Sequence, residues 1–196
     1  MIKTIIFDFG GVVSIGKFFP VVAENLSRKF GINKDTIQQN LYLHETEYML
    51  GNHSTTTFWE NVCKDIDIPY KEFAEIFGSS YEPNLEVIEY INNLKQRYQI
   101  ILHSDNFEAL VQTVKNDVRL EGLFERMYFS NEIHLLKNDE ASFRHVLNDI
   151  NRAPEECVFI DDKEKNLIVP KSIHINTILF KDVEQLKKEL AQLGVH

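Results

Sequence analysis

Five short apolar runs, KTIIF at 3–7, QIILH at 99–103, RMYFS at 126–130, ECVFI at 156–160 and INTILF at 175–180, lack the apolar–polar alternation of a half-solvated strand. Strands apolar on both sides belong in a sheet covered on both faces, and such sheets are usually parallel. Between the runs lie amphipathic stretches of helical length. Residues 84–96 place Leu85, Ile88, Ile91 and Leu94 on one stripe, and residues 139–150 do the same with Phe143, Val146, Leu147 and Ile150. From residue 84 onward the order is helix, strand, helix, strand, which predicts an α/β fold with a doubly wound, Rossmann-like parallel sheet.

One segment breaks the alternation. Between the first run and Pro83 no convincing strand is found, and FFPVVAENLSRKF, KDTIQQNLYLHETEYML, TTTFWENVCKDI and YKEFAEIF all read as helices. The segment is far longer than the ~2–6 residues of an ordinary βα connection. The predicted organisation is therefore a core of residues 1–14 and 84–196 interrupted by an α-helical insertion over 15–83. Open α/β sheets bind ligands beyond the carboxyl ends of their strands, so an insertion that leaves just after the first strand is placed to act as a lid. Its aromatics Phe18, Phe19, Tyr42, Tyr48, Phe58 and Trp59 are expected to be mostly core of a small helix bundle.

Acidic residues outnumber basic ones 30 to 21, giving a net charge of −9 with both signs interspersed. That balance argues against a nucleic-acid backbone or an anionic membrane as the main partner and favours a small molecule. No apolar run approaches the ~20 residues of a membrane span, and the N-terminus lacks a basic segment followed by an apolar one, so a cytoplasmic protein is expected. Cys63 and Cys157 suggest no disulfide framework. A monomer or weak homodimer is the expected state.

Three of the runs finish in polar residues. The first ends at Asp8, the second at Ser104 followed by Asp105 and Asn106, and the fourth at Asp161 and Asp162; Lys137 follows the third by a loop and is expected to open the next helix. In a parallel sheet these ends share one side. Crowded carboxylates repel one another unless a cation neutralises them, which suggests a hard, oxygen-liganded metal, Mg²⁺, shared by Asp8 and Asp161 with room for a phosphate. Each residue also has an ordinary reading: Asp8 as a helix cap, Ser104 as the cap of a helix beginning near Asn106, Asp161 and Asp162 as a turn, Lys137 as a solvated helix-start lysine.

IIFDFGGVV, ILHSDN, Lys137 and VFIDDKEKN, in this order and with a helical insertion after the first, resemble the four signatures of the haloacid dehalogenase-like hydrolase superfamily. The likeness is to the branch with an α-helical cap after the first strand, which includes the N-terminal phosphatase domain of soluble epoxide hydrolase. The resemblance implies an Mg²⁺-dependent phosphatase of a small phosphorylated metabolite in which Asp8 attacks phosphorus to form an aspartyl-phosphate. It also implies that the Gly10 carbonyl and Asp161 join Asp8 on the metal, with Asp162 orienting Lys137 or reaching the metal through water. Ser104, with Asp105 and Asn106 beside it, would hold the phosphoryl oxygens, and Lys137 would balance their charge.

The chain departs from that pattern at Gly10, where phosphatases of the superfamily usually carry a second aspartate that protonates the leaving oxygen. A positioned general acid is worth ~10²–10⁴-fold. Three consequences stay open: an enzyme for activated phosphates, an enzyme in which His103, Asp105 or a cap residue supplies the proton, or a catalytically weak protein that binds a ligand or partner. Dehalogenation of a 2-haloacid would also use Asp8, but two further carboxylates suit a metal-free site for an anion poorly. The lysine loop departs as well, with Asn138 where a proline is common and His134 where a glycine is frequent.

Overall fold

The computed structural model describes residues 1–16, 18–64 and 66–196. β1 (Thr4–Phe7) lies at the centre of a five-stranded sheet, flanked by β4 (Gln99–Ser104) and β6 (Cys157–Asp161), with β5 (Arg126–Phe129) and β7 (Asn176–Leu179) outermost. Every pairing is parallel, with Phe7 opposite both Leu102 and Ile160. The central strand is buried at all four positions, as its sequence requires.

Each strand sends alternate residues to opposite faces. Ile5, Phe7, Ile100, Leu102, Val158 and Ile160 pack with α5 (Leu85–Leu94), α6 (Glu108–Lys115) and α10 (Val183–Gln192). Ile6, Ile101 and Phe159 pack on the other side with Phe143, Val146 and Leu147 of α8 (Glu140–Asp149). Two buried faces make the fold doubly wound. Burying each Leu or Ile side chain contributes ~1.5–3 kcal/mol, so both faces are needed to offset chain entropy. One residue of the predicted stripe falls outside the core: Leu85 is 63% exposed, and Val87 joins Ile88, Ile91 and Leu94 on the buried face instead.

Residues 18–79 form the four helices of the insertion: α1 (Phe18–Phe30), α2 (Lys34–Met49), α3 (Thr55–Val62) and α4 (Tyr70–Ser79). They enclose an apolar cluster that includes Phe19, Leu26, Leu41, Tyr48, Phe58, Phe73 and Phe77. The two chain crossings into the insertion pair as a short antiparallel ribbon, β2 (Ser14–Ile15) with β3 (Glu82–Pro83), in a region where no strand is expected from sequence. The ribbon is too short for periodicity to register. Asn84 closes it: its side chain donates to the Val12 carbonyl at 3.1 Å while also accepting from the Val87 N–H as the cap of α5.

The insertion is also held to the core beyond β4. Phe107 enters the insertion's cluster and stacks on Phe19 at 5.1 Å and Tyr48 at 5.3 Å. Glu108 accepts from the Thr55 N–H at 3.0 Å and its hydroxyl at 2.9 Å, capping α3 from outside. Among the described residues no helix is long and apolar enough to cross a membrane.

Candidate active site

Because β1 is flanked by β4 and β6, the three polar strand ends are brought together over the middle of the sheet. Asp8 directly follows β1 and is fixed by its N–H, which donates to the Ile160 carbonyl at 2.9 Å. Ser104 ends β4 and Asp161 ends β6, and all three are buried. Lys137 reaches the same point with its ammonium 2.8 Å from Asp8 Oδ1 and 2.6 Å from Asp161 Oδ2. It is only 2% exposed, which overturns the reading as a solvated lysine.

The path of the lysine loop differs from expectation. A short helix, α7 (Ser130–Ile133), follows β5, and α8 begins at Glu140, so Lys137 lies in a loop rather than opening a helix. His134 ends α7 in the left-handed region at φ 57°, which is why a glycine would suit the position, and its Nδ1 lies 2.8 Å from the Leu50 carbonyl at the end of α2. Asp105 fixes the loop by accepting from the Lys137 N–H at 3.0 Å. Asn106 donates its N–H to Ser130 Oγ at 2.9 Å and accepts from the Phe107 N–H with its side-chain oxygen. Helix α6 starts at Glu108, so Ser104 does not cap it.

Beyond β6, Asp161 Oδ1 accepts from the Lys163 N–H at 2.8 Å, and the Asn166 amide donates to both Asp161 oxygens at 3.0 and 3.1 Å. Asn166 and Ser130 carry no recognisable sequence signal, because each acts on a neighbour through a side chain whose partner is set by the fold. One carboxylate oxygen each from Asp8, Asp161 and Asp162 can be chosen so that all lie within 4.8 Å of one another. Asp162 Oδ1 is buried with no hydrogen-bond partner. An unpaired buried carboxylate oxygen beside two more carboxylates is costly, and a divalent cation removes the cost, so the residues fit Mg²⁺. Gly11 keeps that corner open. At φ 80° it has a left-handed backbone, and a Cβ there would sit 2.5 Å from Asp162 Cγ. Gly11→Ala should therefore displace Asp162 and weaken Mg²⁺ binding by isothermal calorimetry; an unchanged affinity would show that Asp162 does not face the metal.

The electrostatics are mutual. Burial pushes the Asp8 carboxyl above the usual carboxylate range, Lys137 pulls it back, and Asp161 pushes it up again. Burial alone would pull the Lys137 ammonium down, but Asp8, Asp161 and Asp105 outweigh it and hold it above the ordinary lysine range. Asp105 and Asp162 are both raised, chiefly by burial.

His103 is a correction to the set of possible acids. It ends up wholly buried, with Nε2 2.8 Å from Ser142 Oγ and its ring against Phe143, and it is absent from the cavity lining. Burial pushes it down from 6.5 to about 3, assisted by Lys137. The unfolded chain thus takes up a proton that the folded one refuses, so stability is fully present above 6.5 and is lost as pH falls from there towards 3. Urea midpoints across this window should fall less steeply for His103→Gln than for wild type. Parallel slopes would contradict the assignment.

Above the strand ends lies a cavity of ≈ 490 Å³ shared by core and insertion. Its floor includes Asp8, Gly10, Ser104, Lys137 and Asp162, and the insertion covers it with Phe18, Phe19 and one face of α2: Tyr42, Glu45, Thr46 and Met49. Tyr48 and Phe58 instead face the insertion's interior, as expected of bundle core.

A central strand that ends in a buried aspartate, a buried lysine and a carboxylate cluster at the carboxyl ends of a doubly wound sheet make up the arrangement expected of a haloacid dehalogenase-like hydrolase. A profile of the family described as haloacid dehalogenase-like hydrolase matches residues 2–174, and the chain belongs to that family. It is 25% identical over 198 residues to the sesquiterpene phosphatase astK of Aspergillus oryzae, covering 97% of this chain and 96% of that one. It is 24% identical over 129 residues to the drimenol cyclase drtB of Aspergillus calidoustus, covering 65% of this chain but only 22% of the cyclase. Among solved structures, a haloacid dehalogenase-family enzyme of Bacteroides thetaiotaomicron in complex with magnesium and inorganic phosphate superposes with a TM-score of 0.77 at 21% identity, over 95% of this chain and 99% of that one. At that identity the likeness concerns the fold.

Proposed function

We propose that the protein is an Mg²⁺-dependent phosphatase of a small phosphorylated metabolite and that Asp8 is its nucleophile. The observation that carries this reading is the convergence of Asp8, Asp161 and Asp162 beside Lys137, with one oxygen of Asp162 buried and unpartnered. Asp8, the Gly10 carbonyl, Asp161 and Asp162 would hold the metal. When bound, it supplies positive charge to the carboxylates and to the phosphoryl oxygens.

The chain's own residues do the rest. The rigid end of β1 aims Asp8 at phosphorus, and the Lys137 ammonium, buried beside it, stabilises charge on the transferring group. Ser104, buried at the cavity floor, donates to a phosphoryl oxygen. Asp105 and Asn106, just beyond Ser104, tie the end of β4 to the Lys137 loop and to the start of α7. Residues 15–83 act as the cap of the core formed by 1–14 and 84–196. Its Phe18, Phe19, Tyr42 and Met49 suit a phosphate whose organic part is apolar, and the activity in the name of the Aspergillus oryzae relative supports that choice. We read the protein as cytoplasmic, monomeric or weakly dimeric.

With Mg²⁺ the purified protein should release phosphate from p-nitrophenyl phosphate or acetyl phosphate, and EDTA should stop it. Failure on both substrates would sink the reading. Gly10 favours one alternative, a catalytically weak protein that binds a ligand or partner through the same cleft; tight metabolite binding with turnover indifferent to Asp8→Asn would establish it. Metal-free release of halide from a 2-haloacid would instead identify a dehalogenase.

A further inference from the structure

Four carboxyls line the cavity: Asp8, Asp105, Asp162 and Glu45. The first three have other tasks in the reading above. Asp8 is on Lys137, Asp105 accepts the Lys137 N–H, and Asp162 belongs to the acidic cluster. Glu45 comes from the opposite wall. It is the only carboxyl that the described residues of the insertion contribute to the cavity, on the same face of α2 as Tyr42 and Met49. Among the described residues it forms no ion pair and no hydrogen bond, although Lys163 and Lys165 of the β6 loop share the lining with it. Gly10 stands where phosphatases of the superfamily usually carry the proton-donating aspartate, and a Cβ there would meet nothing within 4 Å.

We infer that Glu45 is the general acid and base of this site, reaching down from the helical insertion into the space that Gly10 leaves open. The inference rests on the phosphatase reading above. In the first step an Asp8 oxygen bonds to phosphorus, the bond from phosphorus to the ester oxygen breaks, and the Glu45 carboxyl gives its proton to that oxygen, so the alcohol leaves neutral. In the second step the Glu45 carboxylate takes a proton from water as the water oxygen bonds to phosphorus. The bond from phosphorus to Asp8 breaks, releasing phosphate and returning both side chains to their starting forms.

The surroundings suit a carboxyl that must be protonated when substrate arrives. Burial raises Glu45 above the ordinary carboxylate range; Lys165 and Lys163 oppose this from the β6 loop, and Asp105 reinforces it from the β4 loop. On α2 itself, Tyr42, one turn earlier, is the titratable side chain that shares the cavity face with it. The arrangement also gives the insertion a chemical task, since the acid is in place only when α2 lies over the strand ends.

The test compares phenyl phosphate, a poor leaving group, with p-nitrophenyl phosphate, a good one. In Glu45→Gln, kcat/KM for phenyl phosphate should fall ~10²-fold, whereas for p-nitrophenyl phosphate it should fall by less than about 3-fold, because an acid matters only where the leaving oxygen needs the proton. kcat should fall for both esters, and a burst of nitrophenol should precede slow turnover as the phosphoryl group waits on Asp8. Gly10→Asp added to Glu45→Gln should restore the phenyl phosphate rate, since an aspartate fits there. Equal losses on both esters, no loss on either, or no burst would overturn the assignment. Should the wild type cleave neither ester and Asp8→Asn behave identically, the phosphatase reading itself falls, and the role of Glu45 with it.

Discussion

Asp8→Asn should abolish turnover, by ~10⁴-fold or more, while leaving the protein folded and at least as stable as wild type without metal. The two halves of this result have one cause. The Lys137 ammonium is shared by two buried carboxylates, Asp8 and Asp161, with Asp162 close by. Uncompensated negative charge in a buried site costs stability, and an asparagine keeps the shape and an oxygen for Lys137 while removing one charge. A site that gathers three carboxylates around one ammonium is in this way less stable without a further cation than a neutral one of the same shape. Phosphate release and thermal melts in EDTA check both halves. An inactive variant that melts well below wild type would show that Asp8 is structural.

Lys137→Met should have the opposite effect on stability. Methionine fills nearly the same space, so the change isolates the charge, and Asp8 and Asp161 lose their only direct cation among the described residues. Leaving buried charges unpaired costs about 3–5 kcal/mol, a fall of roughly 10 °C in the melting midpoint for a chain of this size. Mg²⁺ should recover part of it, because a cation that binds only the folded state contributes RT ln(1 + [L]/Kd), about 2.7 kcal/mol at 100-fold excess over Kd. Turnover should drop ~10²–10³-fold, the range for loss of one electrostatic stabiliser. A variant as stable as wild type in EDTA would mean that the carboxylates carry no net charge in the fold.

The strands and the polar residues at their ends were legible in the sequence because both are local. An apolar run without alternation marks a covered strand, and its last residue marks the sheet edge. Lys137 was legible only through its resemblance to a family signature; its loop, with α7 inserted and His134 in a left-handed conformation, follows from contacts to α2 that lie far away in sequence. The ribbon of Ser14–Ile15 with Glu82–Pro83 has no periodicity to read. His103 looked available because a histidine beside Ser104 in sequence points to the opposite face of the strand, and only the sheet reveals that this face is packed against Phe143. Glu45 was hidden for the same reason in reverse. On α2 it is one acid among several, and which face of that helix covers the cavity is decided by how the insertion packs on Phe107 and Glu108.

The most direct measurement is chemical trapping of the intermediate. Enzyme quenched during turnover of p-nitrophenyl phosphate with Mg²⁺ and treated with borohydride should carry homoserine at position 8, the reduction product of an aspartyl-phosphate, as read by peptide mass spectrometry. Turnover that proceeds with Asp8 unmodified, or with the phosphoryl group trapped on another residue, would contradict the account.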